Sequence, residues 1–132
     1  MKFMVLMYAD PAATASMTPA QRADVFARHE ALHADLAATG EMLNGAGLAF
    51  PADTMTLRWQ QDAAPAVVEG PIAAAASAAT ESVTAYYVLE CENAERAHEI
   101  AARVLDFHVV AVEVRPIHDW FGMGDAAPEA QG

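Results

Sequence analysis

The sequence predicts an α+β domain, a ferredoxin-like βαββαβ plait with an extra hairpin. Three observations lead there. Two strand-like segments, Lys2 to Tyr8 and Ala85 to Glu90, are apolar on both faces. Each is followed by a capped helical segment and then by another strand. Between the halves, Thr54 to Gln60 and Ala66 to Glu69 flank a short turn and read as a hairpin. Two split β-α-β halves with right-handed crossovers put both helices on one face of an antiparallel sheet.

The elements follow in order. Phe3, Val5 and Met7 alternate with Met4, Leu6 and Tyr8, so the first strand is expected to be central and covered on both sides. Asp10-Pro11 ends it. Thr18-Pro19-Ala20-Gln21 starts a helix, with Thr18 as N-cap, Pro19 in the first turn and Gln21 closing a capping box. Gly40 stops that helix after about Thr39. Met42 to Leu48 is the second strand, interrupted by Gly45 and Gly47. In Thr54 to Gln60, Met55, Leu57 and Trp59 share one face, and Thr56 and Arg58 form a wet face. Glu69-Gly70-Pro71 is a tight turn, because glycine tolerates positive φ and proline fixes its own. Pro71 to Ala79 is alanine-rich and reads as loop or short helix. Asn93 caps a second helix from Ala94 to about Leu105, with Ala97, Ile100, Ala101 and Val104 on one stripe. His108 to Ile117 is the last strand: Val110, Val112 and Val114 face one way, Val109, Ala111, Glu113 and Arg115 the other. The domain spans residues 1–118, with 119–132 a loosely ordered tail.

Composition narrows the function classes. The 132 residues suit one domain. Hydrophobic residues make up 55%, but 32 are alanine, which leaves 40 larger apolar side chains for the core. Spread over both faces of a sheet, so few imply that a second copy of the chain covers the outer face, a homodimer. The charge of −11, from 18 acids and 7 bases, repels phosphate, so nucleic acid and anionic membrane are poor partners. No apolar run is long enough to span a bilayer, and the start lacks a signal peptide's long apolar region. The lone Cys91 excludes an intrachain disulfide and fits a reducing cytoplasm.

The opening Lys2-Phe3-Met4-Val5-Leu6-Met7-Tyr8-Ala9-Asp10, the stretch Glu69-Gly70-Pro71-Ile72, the pair Tyr86-Tyr87 and the ending Val112-Glu113-Val114-Arg115-Pro116-Ile117 resemble the YCII-related family, in particular its branch named for a DGPF motif. That motif reads Glu-Gly-Pro-Ile here. The resemblance covers about residues 1–118. It implies a dimeric α+β barrel, in which two ferredoxin-like subunits join through their sheets. It also implies a His/Asp pair in a cleft, which by position falls on His29 and Asp106. A relative that eliminates chloride from a hydroxylated aromatic, and an association of the family with sigma-factor genes, suggest two roles. One is an acid/base enzyme for proton transfer or elimination that needs no cofactor. The other is a non-catalytic ligand-binding or regulatory module.

The residues themselves leave alternatives open. His29 falls among Val25, Phe26, Leu32 and Leu36 on the helical wheel, so it is either a satisfied core histidine or an imidazole against a cavity. A histidine there can exchange a proton near neutral pH. His33 lies one turn on, about 40° around the wheel. Together they form His29-Glu30-Ala31-Leu32-His33, the spacing that puts two imidazoles of a zinc site on one helix face. Asp35 and the lack of a following Gly-x-x-His argue against a zinc protease. Metal binding by His29 and His33 therefore stays a lesser alternative to a metal-free site. Asp106 is a turn residue or the partner of His29. His33, Tyr86, His108 and Arg115 are candidate contacts to an unknown small molecule. Glu113 and Arg115 lie two apart on one strand face; if that face is inside a dimer they must be paired or wet, and the plain reading is a structural ion pair at the interface. Cys91 has no nearby histidine to activate it. His118 and Asp119, as strand neighbours, make a poor dyad. Gly45 and Gly47 lack the spacing of a phosphate loop.

Overall fold

The computed structural model describes residues 1–72 and 82–122. Segments 73–81 and 123–132, which hold most of the alanine-rich stretch and of the tail, lie outside the described residues. Strand β1 (Lys2–Ala9) is followed by a short helix α1 (Pro11–Ala15), and the long helix α2 (Pro19–Thr39) leads into β2 (Met42–Gly47). A 3-10 turn (Pro51–Asp53) precedes β3 (Met55–Arg58) and β4 (Ala66–Glu69). Then come β5 (Ser82–Glu90), α3 (Ala94–Ala102) and β6 (Val109–Pro116). The main sheet runs β2-β5-β1-β6 and every neighbouring pair is antiparallel. This is the split β-α-β order of a ferredoxin-like plait. No helix among the described residues is long and apolar enough to cross a membrane.

The helix ends obey their local signals. Asp10 caps α1 by accepting from the Ala12 N–H at 2.9 Å. Thr18 and Gln21 form the reciprocal capping box at 3.1 and 2.9 Å. Gly40 takes the left-handed conformation at φ +75 that ends α2. Asn93 accepts from Arg96 N–H at 2.9 Å to start α3. That helix stops at Ala102, short of the expected Leu105. Arg103, Val104 and Leu105 instead donate three residues back, to Ile100, Ala101 and Ala102, and so wind on as tighter turns.

Both long helices pack on the Phe3/Val5/Met7 face of β1. There Leu32 and Leu36 from α2 meet Tyr87 and Leu89 from β5, and Ala97, Ile100, Ala101 and Val104 from the α3 segment. Arg96 of α3 holds Glu41 with two hydrogen bonds of 2.8 Å. This pair fixes the start of β2 and draws the Glu41 carboxyl down to about 2.

Three further details depart from the sequence expectations. Val109 is buried in the helix-side core with Val112 and Val114, not on the side of Glu113 and Arg115. The cause is a bulge: Tyr8 pairs with Ala111 and Ala9 with Val109, so Val110 is the extra residue and is exposed. Phe26 is exposed at 65%, and Leu32 and Leu36 are the only residues of α2 in the buried core. The third is the β3–β4 hairpin, which forms its own two-stranded sheet. In it Thr56 is the buried residue, bonded to Gly70 O at 2.7 Å, while Met55, Leu57 and Trp59 face outward. Gly70 has φ +94, as the turn demanded. Glu113, like Arg115, is exposed in the single chain. It accepts the Tyr8 hydroxyl at 2.5 Å, which holds the Tyr8 phenol above its usual range.

Candidate functional site

The site forms where α2 crosses the β5–β2 edge of the sheet. His29 and His33 are separated by one helical turn and so point the same way. Beneath them β5 presents Tyr87, whose Cα pairs with Val5 on one side and Gly45 on the other. Pairing with Val5 puts Tyr87 on the helix side of the sheet, and its ring is buried. Its hydroxyl reaches both imidazoles, 2.8 Å from His33 Nε2 and 3.2 Å from His29 Nδ1. The two histidine rings meet edge-on, with centroids 6.1 Å apart.

These three side chains form one wall of a cleft of about 540 Å³. Met7, Met42, Leu43, Ala46 and Ala85 supply apolar lining, and Asn44 an amide. That size and lining suit a small organic molecule. Gly45 is needed for the close approach: a Cβ there would come within 3.0 Å of the Tyr87 ring and 3.1 Å of the Tyr86 carbonyl.

Burial and the neighbouring His33 lower the pKa of His29, and Asp106 opposes them through its charge. Neutral imidazole is therefore favoured, the form that can accept a proton. Burial raises the Tyr87 phenol, so it remains protonated near neutral pH.

Asp106 sits in the loop between α3 and β6, with its side chain 6% exposed. One carboxylate oxygen accepts from the His108 and Val109 N–H groups at 2.8 and 2.7 Å, and the other from Arg28 at 2.9 Å. Burial works against its ionised form, but these hydrogen bonds outweigh it, and its pKa is lowered. Asp106 is thus joined to α2 through Arg28, one residue before His29, and acts on His29 through charge. No hydrogen bond joins the two among the described residues. His108 Nδ1 lies 2.7 Å from Asp106 Oδ1, yet the approach lacks hydrogen-bond geometry and leaves that nitrogen without a hydrogen-bond partner.

Tyr86 and Arg115 lie elsewhere. Tyr86 pairs with Leu6 and faces away from the helices. Arg115 lines a groove on that outer face with Met4, Leu6, Trp120 and Phe121. His33 and Tyr87 are therefore joined to His29, and Tyr86 and Arg115 are not. Sequence reasoning preferred Tyr86 and missed Tyr87. Tyr87 shares its face of β5 with Leu89 and Cys91, but Tyr86 shares the other with the equally apolar Val88, so alternation alone does not choose between the two tyrosines. Cys91 is buried, which pushes its thiol up. His118 and Asp119 do meet, at 3.1 Å, because they lie past the end of β6 where strand alternation no longer applies; both are exposed. No group of three or more His, Cys, Asp or Glu suited to a metal occurs among the described residues.

An antiparallel α+β plait with a histidine-walled cleft under its longest helix defines the class of this chain. The chain belongs to the YCII-related family, whose domain model matches residues 1–121. No curated protein matches it.

Proposed function

We propose that the cleft takes a small molecule with an apolar body and one acidic or hydrogen-bonding group, and that His29 moves a proton to or from it. The observation that carries this reading is the Tyr87 hydroxyl bound to both His29 and His33 at the cleft wall. It fixes the His29 ring through Nδ1 and leaves Nε2 for the ligand. Among the described residues no hydrogen bond occupies that nitrogen. A neutral, oriented imidazole beside an apolar cavity is a general base, and after taking a proton it is a general acid. Proton abstraction and elimination are the matching reaction classes. Asp106 supports the imidazolium by its charge, from a position locked by Arg28 and two backbone amides.

The test incubates small aromatic and acidic carbon acids with the protein in D₂O and follows deuterium incorporation by proton NMR. At least one compound is expected to exchange faster than in buffer. Saturation-transfer contacts without any exchange would make the chain a non-catalytic ligand-binding module instead.

A second copy of the chain over the outer sheet face belongs to the same reading. Met4, Leu6 and Tyr86 are half-buried there, beside the groove lined by Trp120 and Phe121. The outward Met55, Leu57, Trp59 and Val67 of the hairpin add apolar surface. Sedimentation equilibrium is expected to give twice the 14.0 kDa of one chain. A species of a single chain's mass at micromolar concentration would refute the dimer.

A further inference from the structure

We infer that Tyr87 and His33 form a two-way proton relay that serves the cleft residue His29 through its Nδ1 side. The inference rests on His29 acting as the acid/base. Its geometric basis is one hydroxyl between two imidazole nitrogens, 2.8 Å from His33 Nε2 and 3.2 Å from His29 Nδ1. A phenol has one hydrogen to donate, so it donates to one ring and accepts from the other. Two arrangements result. In the first, Tyr87 donates to His33 Nε2 and His29 Nδ1–H donates to Tyr87, which leaves His29 Nε2 bare. In the second, His33 Nε2–H donates to Tyr87, Tyr87 donates to His29 Nδ1, and His29 carries its hydrogen on Nε2. The first is loaded as a base and the second as an acid.

The step between them balances. His29 Nε2 takes the ligand's proton. The Nδ1 hydrogen of His29 passes to the Tyr87 oxygen as the phenol hydrogen passes to His33 Nε2. His33, which is exposed, then loses its Nδ1 proton to water. The reverse sequence reloads the base and delivers a proton to the ligand. No oxidant or further reactant is required. The half-buried His29 therefore has a proton path to the exposed His33 that leaves its own Nε2 free. Tyr87 is a positioning and relay group here, and Gly45 admits its ring.

The groups facing His29 are Arg28 and His33 from α2, Tyr87 from β5, and Asp106 and His108 from the loop before β6. Of these only His33 is linked to His29 through a shared hydroxyl, so its protonation should reset the His29 tautomer. Nitrogen-15 imidazole spectra distinguish the two tautomers directly. Across a pH range in which His33 takes up a proton, wild-type His29 is expected to change from Nδ1–H to Nε2–H as it does so. In Tyr87→Phe, which keeps both rings, that change is lost. In His33→Gln, which cannot take up a proton, His29 holds one tautomer throughout the range. A His29 tautomer that ignores His33 in the wild type, or follows it equally in Tyr87→Phe, overturns the relay. The two ideas fail separately: absent deuterium incorporation with intact tautomer coupling counts against the proposed function, and incorporation without coupling counts against the relay.

Discussion

His29→Gln lowers the rate of deuterium incorporation into an exchanging compound by about 10²–10⁴-fold, the usual contribution of a positioned general base. Glutamine can still hydrogen-bond to the Tyr87 hydroxyl, but it cannot take up a proton. Binding of the same compound, read by saturation transfer, should therefore change only a few-fold, because the apolar lining from Met7, Met42 and Leu43 is untouched. Loss of rate with retained binding is the pattern of an interaction made in the transition state. A glutamine variant that exchanges at the wild-type rate would remove His29 from the chemistry.

Leu36→Ala destabilises the fold by about 2–5 kcal/mol, the range for emptying a well-packed leucine site. The particular packing of α2 makes this position important. The helix has 21 residues, yet Leu32 and Leu36 are its only members in the buried core. Leu36 is fully buried against the sheet, one turn from Gly40, where the chain must enter β2. Truncation leaves a cavity under the turn that carries His33 and loosens the helix that positions both imidazoles. Against a total stability of about 5–15 kcal/mol, the loss is a large fraction. Urea unfolding followed by circular dichroism measures it, with His29→Gln as a control expected to unfold near the wild-type midpoint. A cost under about 1 kcal/mol would show that α2 is held by something other than its two leucines.

Much of the scaffold can be read from the residues because its signals are local. Apolar residues on both faces of Lys2 to Tyr8 mark a central strand. The Thr18–Gln21 box and Gly40 bound α2, and Asn93 starts α3. His29 stands out for the same reason, as a titratable group among apolar helix positions. What escapes the residues is decided by register and distance. Alternation alone puts Val109 with Glu113, and only the bulge at Val110 returns it to the core. Tyr86 and Tyr87 are equivalent by composition, and the pairing of Tyr87 with Val5 selects the one that meets the histidines. Asp106 is committed to Arg28, 78 residues away in sequence, a contact no local pattern announces. The outward face of the hairpin was also hidden, since Met55, Leu57 and Trp59 have the alternation of a buried strand whether or not anything lies over them.

The central claim is that a ligand sits against His29 in the cleft between α2 and β2. The five histidines are well distributed to test it: His29 and His33 line the cleft, His108 lies in the loop beside Asp106, His98 is exposed on α3, and His118 is exposed past the end of β6. Their ring carbon–proton resonances, followed by NMR while an exchanging compound is titrated in, report directly where it binds. The account predicts that the His29 and His33 signals move together and saturate with the exchange rate, while those of His98 and His118 stay in place. Exchange that saturates with the His29 and His33 signals unmoved would contradict it.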